Sequence, residues 1–141
     1  MLILTTEINP HSMNYKGVII EESLANSDVL KSVAIIGTRI ESVTAHHKTP
    51  WLKQWTLHTV ELPEDKSDAI AEQIGSSLEN DHSWYADFKN DKYHYIIYRN
   101  KVFKVDLNNP RMYKNAKEYG ISIGIPEYQV DFTPNDKVRE R

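Results

Sequence analysis

The chain has 141 residues, of which 40% are hydrophobic and 26% are charged, and its formal net charge at pH 7 is −3. This length and composition predict one globular domain with its own core and argue against a disordered chain. No cysteine is present, which excludes disulfide bonds, thiolate metal sites and a cysteine nucleophile.

The two ends of the chain carry little pattern. The apolar start, Met1 to Leu4, has no basic residues ahead of it and is too short for a secretory signal, and no apolar run is long enough to span a bilayer. We therefore expect a cytoplasmic protein with an N-terminal extension over residues 1–12, a single α+β domain over residues 13–132 and a polar tail over residues 133–141. Translation is expected to start at Met13 unless the first segment is a loose tail.

Two strands are predicted at the start of the domain. The β-branched run Val18–Ile20 predicts a strand over residues 15–21, and a longer apolar pattern predicts a second strand over residues 30–43. An isolated glycine, Gly37, indicates a bulge or bend in the second strand. Because residues 25–28 are polar and typical of a turn, we expect the two strands to form a β-hairpin.

The middle of the chain predicts a strand followed by a helix. Residues 55–62 alternate between two faces, as a strand does. Pro63 ends that strand and begins a helix, in which Ile70, Ile74 and Leu78 recur every four residues and form one apolar stripe. This helix is the element with the clearest periodicity.

A second hairpin is predicted further along the chain. Residues 82–91 read as a loop, and residues 93–99 and 102–106 read as strands. Asn100 lies between these strands, and asparagine tolerates the positive φ that a tight turn requires.

The last elements complete the predicted fold. A helix over residues 110–119 is expected to end at Gly120, and a short strand is expected at residues 128–132. From Trp55 onward the order is strand, helix, strand, strand, helix, strand. That order predicts an α+β protein with an antiparallel sheet and two helices, ferredoxin-like (βαββαβ) and preceded by the N-terminal β-hairpin.

Three stretches together resemble a known group of proteins. They are YKGVIIEESL, then HSWYADFKND with YHYIIYRNKVFKVD after it, and AKEYGISIGIPEYQ. In these stretches the chain resembles a family of small prokaryotic proteins of unassigned function, conserved hypothetical proteins. The resemblance covers nearly all of the chain after Met13 and implies no activity.

Two histidines on predicted strands are candidates for binding a small ligand. His58 and His94 each lie on a strand face with apolar neighbours, and if both faces meet the helices the two imidazoles approach each other. Trp84 from the adjoining loop completes this candidate ligand site. No recognised metal-ligand spacing is present, so we predict neither a metal site nor a cofactor, and a structural role for the two histidines is the simpler alternative.

The predicted loop at residues 82–91 is rich in functional groups. His82 as a general base and Asp87 as a carboxylate are the candidate catalytic pair for a hydrolase-like reaction. In the alternative interpretation, Trp84 and Phe88 pack over the end of the core. The polar residues of the loop then only provide a hydrogen-bond partner for the Trp84 indole N–H.

The aromatic strand that follows is a candidate interface. Tyr93, Tyr95 and Arg99 share one face, and tyrosine and arginine are favoured at protein interfaces. We expect self-association as a homodimer across an open sheet face. Base stacking on the same face is the alternative, but the negative net charge and the interspersed acids make nucleic acid the less favoured partner.

A second aromatic cluster precedes the third predicted strand. His46 and His47 stand close to Trp51 and Trp55, and together they could line a pocket or fold back over the core edge. The first functional hypothesis is therefore a non-catalytic binding or interaction module that self-associates and holds a small ligand. A small enzyme acting through His82 is the alternative, and a nucleic-acid-binding protein comes third.

Overall fold

A computed structural model describes residues 13–134, in which strands and helices follow one another along the chain. In chain order they are β1 (Tyr15–Ile20), β2 (Ala34–Ser42), β3 (Gln54–Leu62), α1 (Ser67–Ser77), β4 (Tyr85–Lys89), β5 (Tyr93–Tyr98), β6 (Lys101–Asp106), α2 (Met112–Ser122) and α3 (Glu127–Val130). Short 3₁₀ turns stand between several of these elements. Among the described residues, no helix combines the length and the apolar character needed to cross a bilayer.

The six strands of the described range form one open sheet in the order β2-β3-β1-β4-β5-β6. Every neighbouring pair is antiparallel. This confirms the predicted α+β class with an antiparallel sheet. The ferredoxin-like arrangement is not confirmed, because the sheet has six strands and the last predicted strand, at residues 128–132, is replaced by α3.

The predicted N-terminal hairpin is wrong. β1 pairs with β3 on one side and with β4 on the other, whereas β2 pairs with β3. The first part of the predicted second strand, residues 27–32, forms a 3₁₀ turn, and the Asn26 side chain accepts a hydrogen bond from the backbone amide of Asp28 at 2.8 Å. That turn carries the chain away from β1, so β2 finds its partner later in the sequence.

A strand occupies most of the predicted loop at residues 82–91. β4 lies between β1 and β5, and both of its faces are covered. Ala86 and Phe88 pack in the cluster beneath α1, whereas Tyr85 packs beneath α2. Because neither face meets water, β4 lacks the polar and apolar alternation that would have revealed it.

The end of α2 also differs from the prediction. The helix continues to Ser122, so Gly120 lies inside it, and Gly124 is the glycine with positive φ, at +98°. A Cβ on Gly120 would lie 2.6 Å from the Tyr98 hydroxyl and 2.9 Å from a methyl group of Val130. Gly120 is therefore required for close packing of α2 rather than for ending it.

The two halves of the sheet are covered unequally. Over β4, β5 and β6, which we call the covered half, α1 packs on one face and α2 with α3 on the other. We call β2 and β3 the open half because, at its edge, every residue of β2 except Glu41 is exposed. β3 itself is largely buried. β1 joins the halves, and its Gly17 lets β4 approach, since a Cβ there would lie 1.9 Å from the Asp87 carbonyl oxygen.

The predicted end segments fall mostly outside the described residues. The proposed extension at residues 1–12 lies outside them, as does the predicted tail from residue 135 onward.

Candidate functional site

A cavity of about 150 Å³ lies where three connections of the fold meet. These are the segment between β2 and β3, the segment between α1 and β4, and the segment between α2 and α3. All three tryptophans of the chain, Trp51, Trp55 and Trp84, line this cavity. We call it the tryptophan pocket.

The three indole rings of the tryptophan pocket differ in exposure. Trp55 and Trp84 are 2% and 6% exposed, and their ring centroids lie 5.8 Å apart at an interplanar angle of 61°. Trp51 is 47% exposed and stacks on His82, with centroids 3.6 Å apart and an interplanar angle of 11°. Two buried rings thus form the inner wall, and the Trp51–His82 stack forms the outer wall.

Glu79 holds the wall residues in place from the end of α1. Its side chain accepts hydrogen bonds from the Trp84 indole at 2.9 Å and from the backbone amide of Asp81 at 2.7 Å, and it lies 2.6 Å from Nδ1 of His82. Burial alone would raise the pKa of Glu79, but the hydrogen bonds from Trp84 and His82 outweigh it and hold this pKa below its ordinary value. Glu79 is therefore a charged anchor.

The segment between β2 and β3 is attached to its surroundings by specific contacts. His47 closes a capping box with Thr44, and its Nε2 lies 3.2 Å from a carboxylate oxygen of Glu41. The Trp55 indole donates to the hydroxyl of Thr49 at 2.9 Å. These contacts shape the pocket from the open half of the sheet.

The same segment also contacts α3. The Tyr128 hydroxyl donates to the backbone carbonyl of His46 at 2.6 Å, and the two rings stack with centroids 4.4 Å apart. The pocket therefore has a third wall that depends on the position of α3.

Lys48 is the cation at the mouth of the tryptophan pocket. It is exposed, has a φ of 61°, and its side chain has no hydrogen-bond or ion-pair partner within residues 13–134. It also borders a second cavity of about 480 Å³, which is lined by apolar residues such as Val43 and Leu52. The ammonium group is thus available to a ligand in either cavity.

The candidate catalytic pair, His82 and Asp87, has separate partners. His82 belongs to the tryptophan pocket, whereas Asp87 lies 2.7 Å from Nε2 of His94. Nδ1 of His94 lies 2.8 Å from the Tyr113 hydroxyl. Asp87 and His94 are 4% and 0% exposed, so this chain of hydrogen bonds is enclosed between the sheet and α2.

The candidate ligand residues His58, Trp84 and His94 do not converge. His58 lies opposite Ile19, on the sheet face covered by α1, and His94 lies opposite Lys89, on the other face. His58 has its own partners, since Nε2 lies 2.7 Å from Glu21 and Nδ1 lies 2.9 Å from Thr38. Of the three, only Trp84 lines the tryptophan pocket.

Two of the three candidate interface residues, Tyr93 and Tyr95, lie on the face covered by α1, and Arg99 is exposed. Tyr95 is 1% exposed beneath α1, and its hydroxyl donates to Asp68 and lies 3.0 Å from the hydroxyl of Ser67. Burial and the hydrogen bond to Asp68 raise the pKa of Tyr95 to about 12. Tyr93 is partly buried on the same face, and Arg99 donates to the carbonyl of Leu78 at 2.6 Å. The open face expected for self-association is therefore occupied by α1.

Two residues of these hydrogen-bond networks were not identified by the sequence analysis. Glu79 organises the pocket and Tyr113 completes the buried chain with His94, yet neither stood in a recognised motif. The three-residue spacing between Glu79 and His82 is the available sign of the first. Nothing in the pattern around Tyr113 distinguishes it from a tyrosine on the apolar side of a helix.

Neither the arrangement of possible metal ligands nor comparison with known proteins indicates a further site. Within residues 13–134, no group of three or more His, Asp or Glu side chains is placed to hold a metal ion. Comparison with protein-family models, with curated proteins and with solved structures finds no match to this chain. The resemblance to small prokaryotic proteins of unassigned function stays a prediction.

Proposed function

We propose that the protein is a cytoplasmic, non-catalytic binding module that holds a small planar organic acid in the tryptophan pocket. The observation that carries this proposal is the convergence of all three tryptophans on one cavity beside Lys48, whose side chain has no partner in the described part of the chain. The aromatic residues come from segments that are well separated in the sequence, which is typical of ligand pockets built by folding.

The size and the walls of the pocket support a single planar ring. A volume of about 150 Å³ is below the roughly 300–1,000 Å³ of pockets that hold drug-sized molecules. Indole and imidazole faces stack well on flat π-systems. A ring-sized molecule with a flat face is therefore the class of ligand that these walls suit best.

The charges around the pocket support an acid rather than a base. Glu79 is already hydrogen-bonded to Trp84 and His82, and Glu41 is bonded to Arg39 and His47. The carboxylates of Glu79 and Glu41 are thus engaged within the protein. The ammonium group of Lys48 is open to a ligand anion and would pair with a carboxylate at the mouth.

The enzyme alternative has less support. A surface acid–base pair formed by His82 and Asp87 would need both groups to reach one substrate, and their hydrogen-bond partners differ. The imidazole that does contact Asp87 belongs to His94, which is fully buried. A general base must come within hydrogen-bond reach of the proton it removes, and an enclosed pair does not offer that reach.

The experiment that tests the proposal follows the three indole N–H signals by ¹H–¹⁵N NMR during titration with benzoate. We expect the Trp51 and Trp84 signals to shift with saturation in the millimolar range, which is what so small a ligand achieves. Benzamide, which is flat but neutral, and cyclohexanecarboxylate, which is charged but not flat, should shift them less.

Two lysine variants separate a specific site from general attraction of anions. Lys48→Gln should weaken benzoate binding severalfold, whereas Lys53→Gln, an exposed position in the same segment that does not line the cavity, should leave it unchanged. The proposal fails if benzoate moves none of the indole signals, or if the two variants behave alike.

A further inference from the structure

The free edge of β2 is the most exposed regular element of the described chain. β2 pairs with β3 on one side, and no strand among residues 13–134 pairs with its other side. Alternate residues of an edge strand point their backbone N–H and C=O groups away from the sheet, which makes the edge a template for another strand. The edge of β2 is thus ready to accept a strand.

The side chains of β2 give this edge little protection. Ile35, Ile36 and Ile40 are 44%, 51% and 63% exposed. Natural edge strands are commonly protected by charged side chains, especially lysine, or by proline. β2, with the sequence AIIGTRIES, contains neither lysine nor proline, and its charges, Arg39 and Glu41, pair with each other. The register shift between Ile35 and Gly37 confines the irregularity to the first half of the strand. The stretch Thr38–Ser42 remains regular and available.

The regular stretch of β2 is complementary to itself. When Thr38–Ser42 pairs antiparallel with its own copy about a two-fold axis, its midpoint, Ile40, lies opposite the partner's Ile40. Arg39 then faces Glu41 of the partner subunit, and Glu41 faces the partner's Arg39. These two side chains share a sheet face, since they lie opposite Leu57 and Trp55 in β3. Opposite charges directly across an antiparallel pair stabilise it, whereas like charges destabilise it.

We propose that β2 pairs with β2 of a second copy, in the register centred on Ile40, to form one continuous sheet through two protomers. The partner is a second copy because β2 itself supplies the residues on both sides of each contact. Exposed Ile40 meets Ile40 of the partner subunit, and Arg39 meets the partner's Glu41. This interface shares with the tryptophan pocket only the contact of Glu41 with His47. Ile40, on which the register test depends, does not line the pocket, so each proposal can fail without the other.

The absence of natural cysteines allows a direct test of the register. Side chains directly opposite in an antiparallel pair have Cβ atoms about 4.5–5.5 Å apart, close to the spacing of a disulfide. Ile40→Cys should therefore form a disulfide-linked dimer in oxidised glutathione at low protein concentration. Lys101→Cys, at an exposed position on the opposite edge strand β6, is the matched control and should crosslink at least tenfold more slowly.

A charge exchange tests the partner contact itself. Arg39→Glu and Glu41→Arg should each weaken self-association, because each places like charges across the two-fold axis. An equimolar mixture of the two variants should restore the dimer, since opposite charges then face each other between unlike protomers. The salt bridge within one chain, at 2.8 Å, is broken in both variants and cannot explain that recovery.

Sedimentation velocity on the full chain decides the outcome. We expect a concentration-dependent dimer that Ile40→Lys converts to monomer, while circular dichroism stays unchanged because Ile40 is mostly exposed. A chain that stays monomeric at high concentration would overturn the proposal. So would a dimer that Ile40→Lys leaves intact, or a mixture of charge variants that does not associate.

Discussion

The covered and open halves of the sheet each contain a histidine bonded to a carboxylate. The distance is 2.7 Å for His94 and Asp87 in the covered half and 2.7 Å for His58 and Glu21 beside the open half. The surroundings differ, since the side chains of the first pair are 1% and 4% exposed and those of the second are 10% and 50% exposed. Equal geometry therefore does not mean equal energy, because water competes for one pair only.

Removing one carboxylate from each pair should separate the two halves most clearly. Asp87→Ala leaves His94 with an unsatisfied buried nitrogen and should lower the free energy of unfolding by about 3 kcal/mol. Glu21→Ala leaves His58 near solvent and should cost less than about 1 kcal/mol. Urea unfolding followed by circular dichroism measures the loss of unfolding free energy in both variants. Equal losses would contradict the conclusion that burial determines the strength of the two pairs.

The same contrast applies to glycine. Gly120→Ala places a methyl group against Tyr98 and Val130 in the covered half and should cost about 1–2 kcal/mol, even after the gain in helix propensity. Gly37→Ala lies in β2, where a Cβ meets nothing within 4 Å, and should change stability by less than about 0.5 kcal/mol. Thermal unfolding of the two variants tests the pair. A costly Gly37→Ala would indicate that the β2 surface is packed rather than open.

The smallest expected effect concerns pH at the tryptophan pocket, where the two halves meet. Because the pKa of Glu79 is lowered in the folded protein, its charged form adds stability that is fully present above its ordinary pKa of 4.5. That contribution is lost as the pH falls through the lower, folded-state pKa. The difference in unfolding free energy between the wild type and Glu79→Gln should therefore be constant near neutral pH and shrink below about pH 4.5. A difference that grows on acidification would reverse the sign we assign to Glu79.

The local sequence pattern predicted the elements that have one solvent-exposed face or a clear hydrophobic periodicity. The alternation in residues 55–62, the four-residue repeat of Ile70 and Ile74, and the turn at Asn100 all correspond to observed structure, and Asn100 has a φ of 54°. Each of these signals depends on neighbours within a few positions. They therefore remain readable without knowledge of the tertiary fold.

The rest of the fold depended on contacts between distant segments. β4 has no wet face, so its sequence resembles a loop that contains Asp87 and Trp84. Residues 128–132 alternate like a strand, yet Val130 and Phe132 are buried beside α2 and α3 forms there instead. The strand order cannot be read from alternation, because alternation fixes only which side chains share a face and leaves the choice of neighbour open.

The site was predictable to the same extent. Each aromatic cluster, one around Trp51 and the other around Trp84, is visible in the sequence, but their meeting in one pocket is a property of the sheet order. The expected approach of His58 to His94 failed for a related reason. Each lies on an apolar-looking strand face, and only the register shows that these faces are opposite.

The central place of β1 has a consequence for how the chain is made. Gly17 lies opposite Val60 on one side and opposite Phe88 on the other, so β1 pairs with strands that are translated well after it. Such distant pairings slow folding, because the entropy cost of closing a long loop comes before the stabilising contacts between the strands have formed. During synthesis, the apolar side chains of β1 are exposed until β3 and β4 have emerged. We therefore expect the nascent chain to depend on protection from aggregation until residues 85–89 are free to close the sheet.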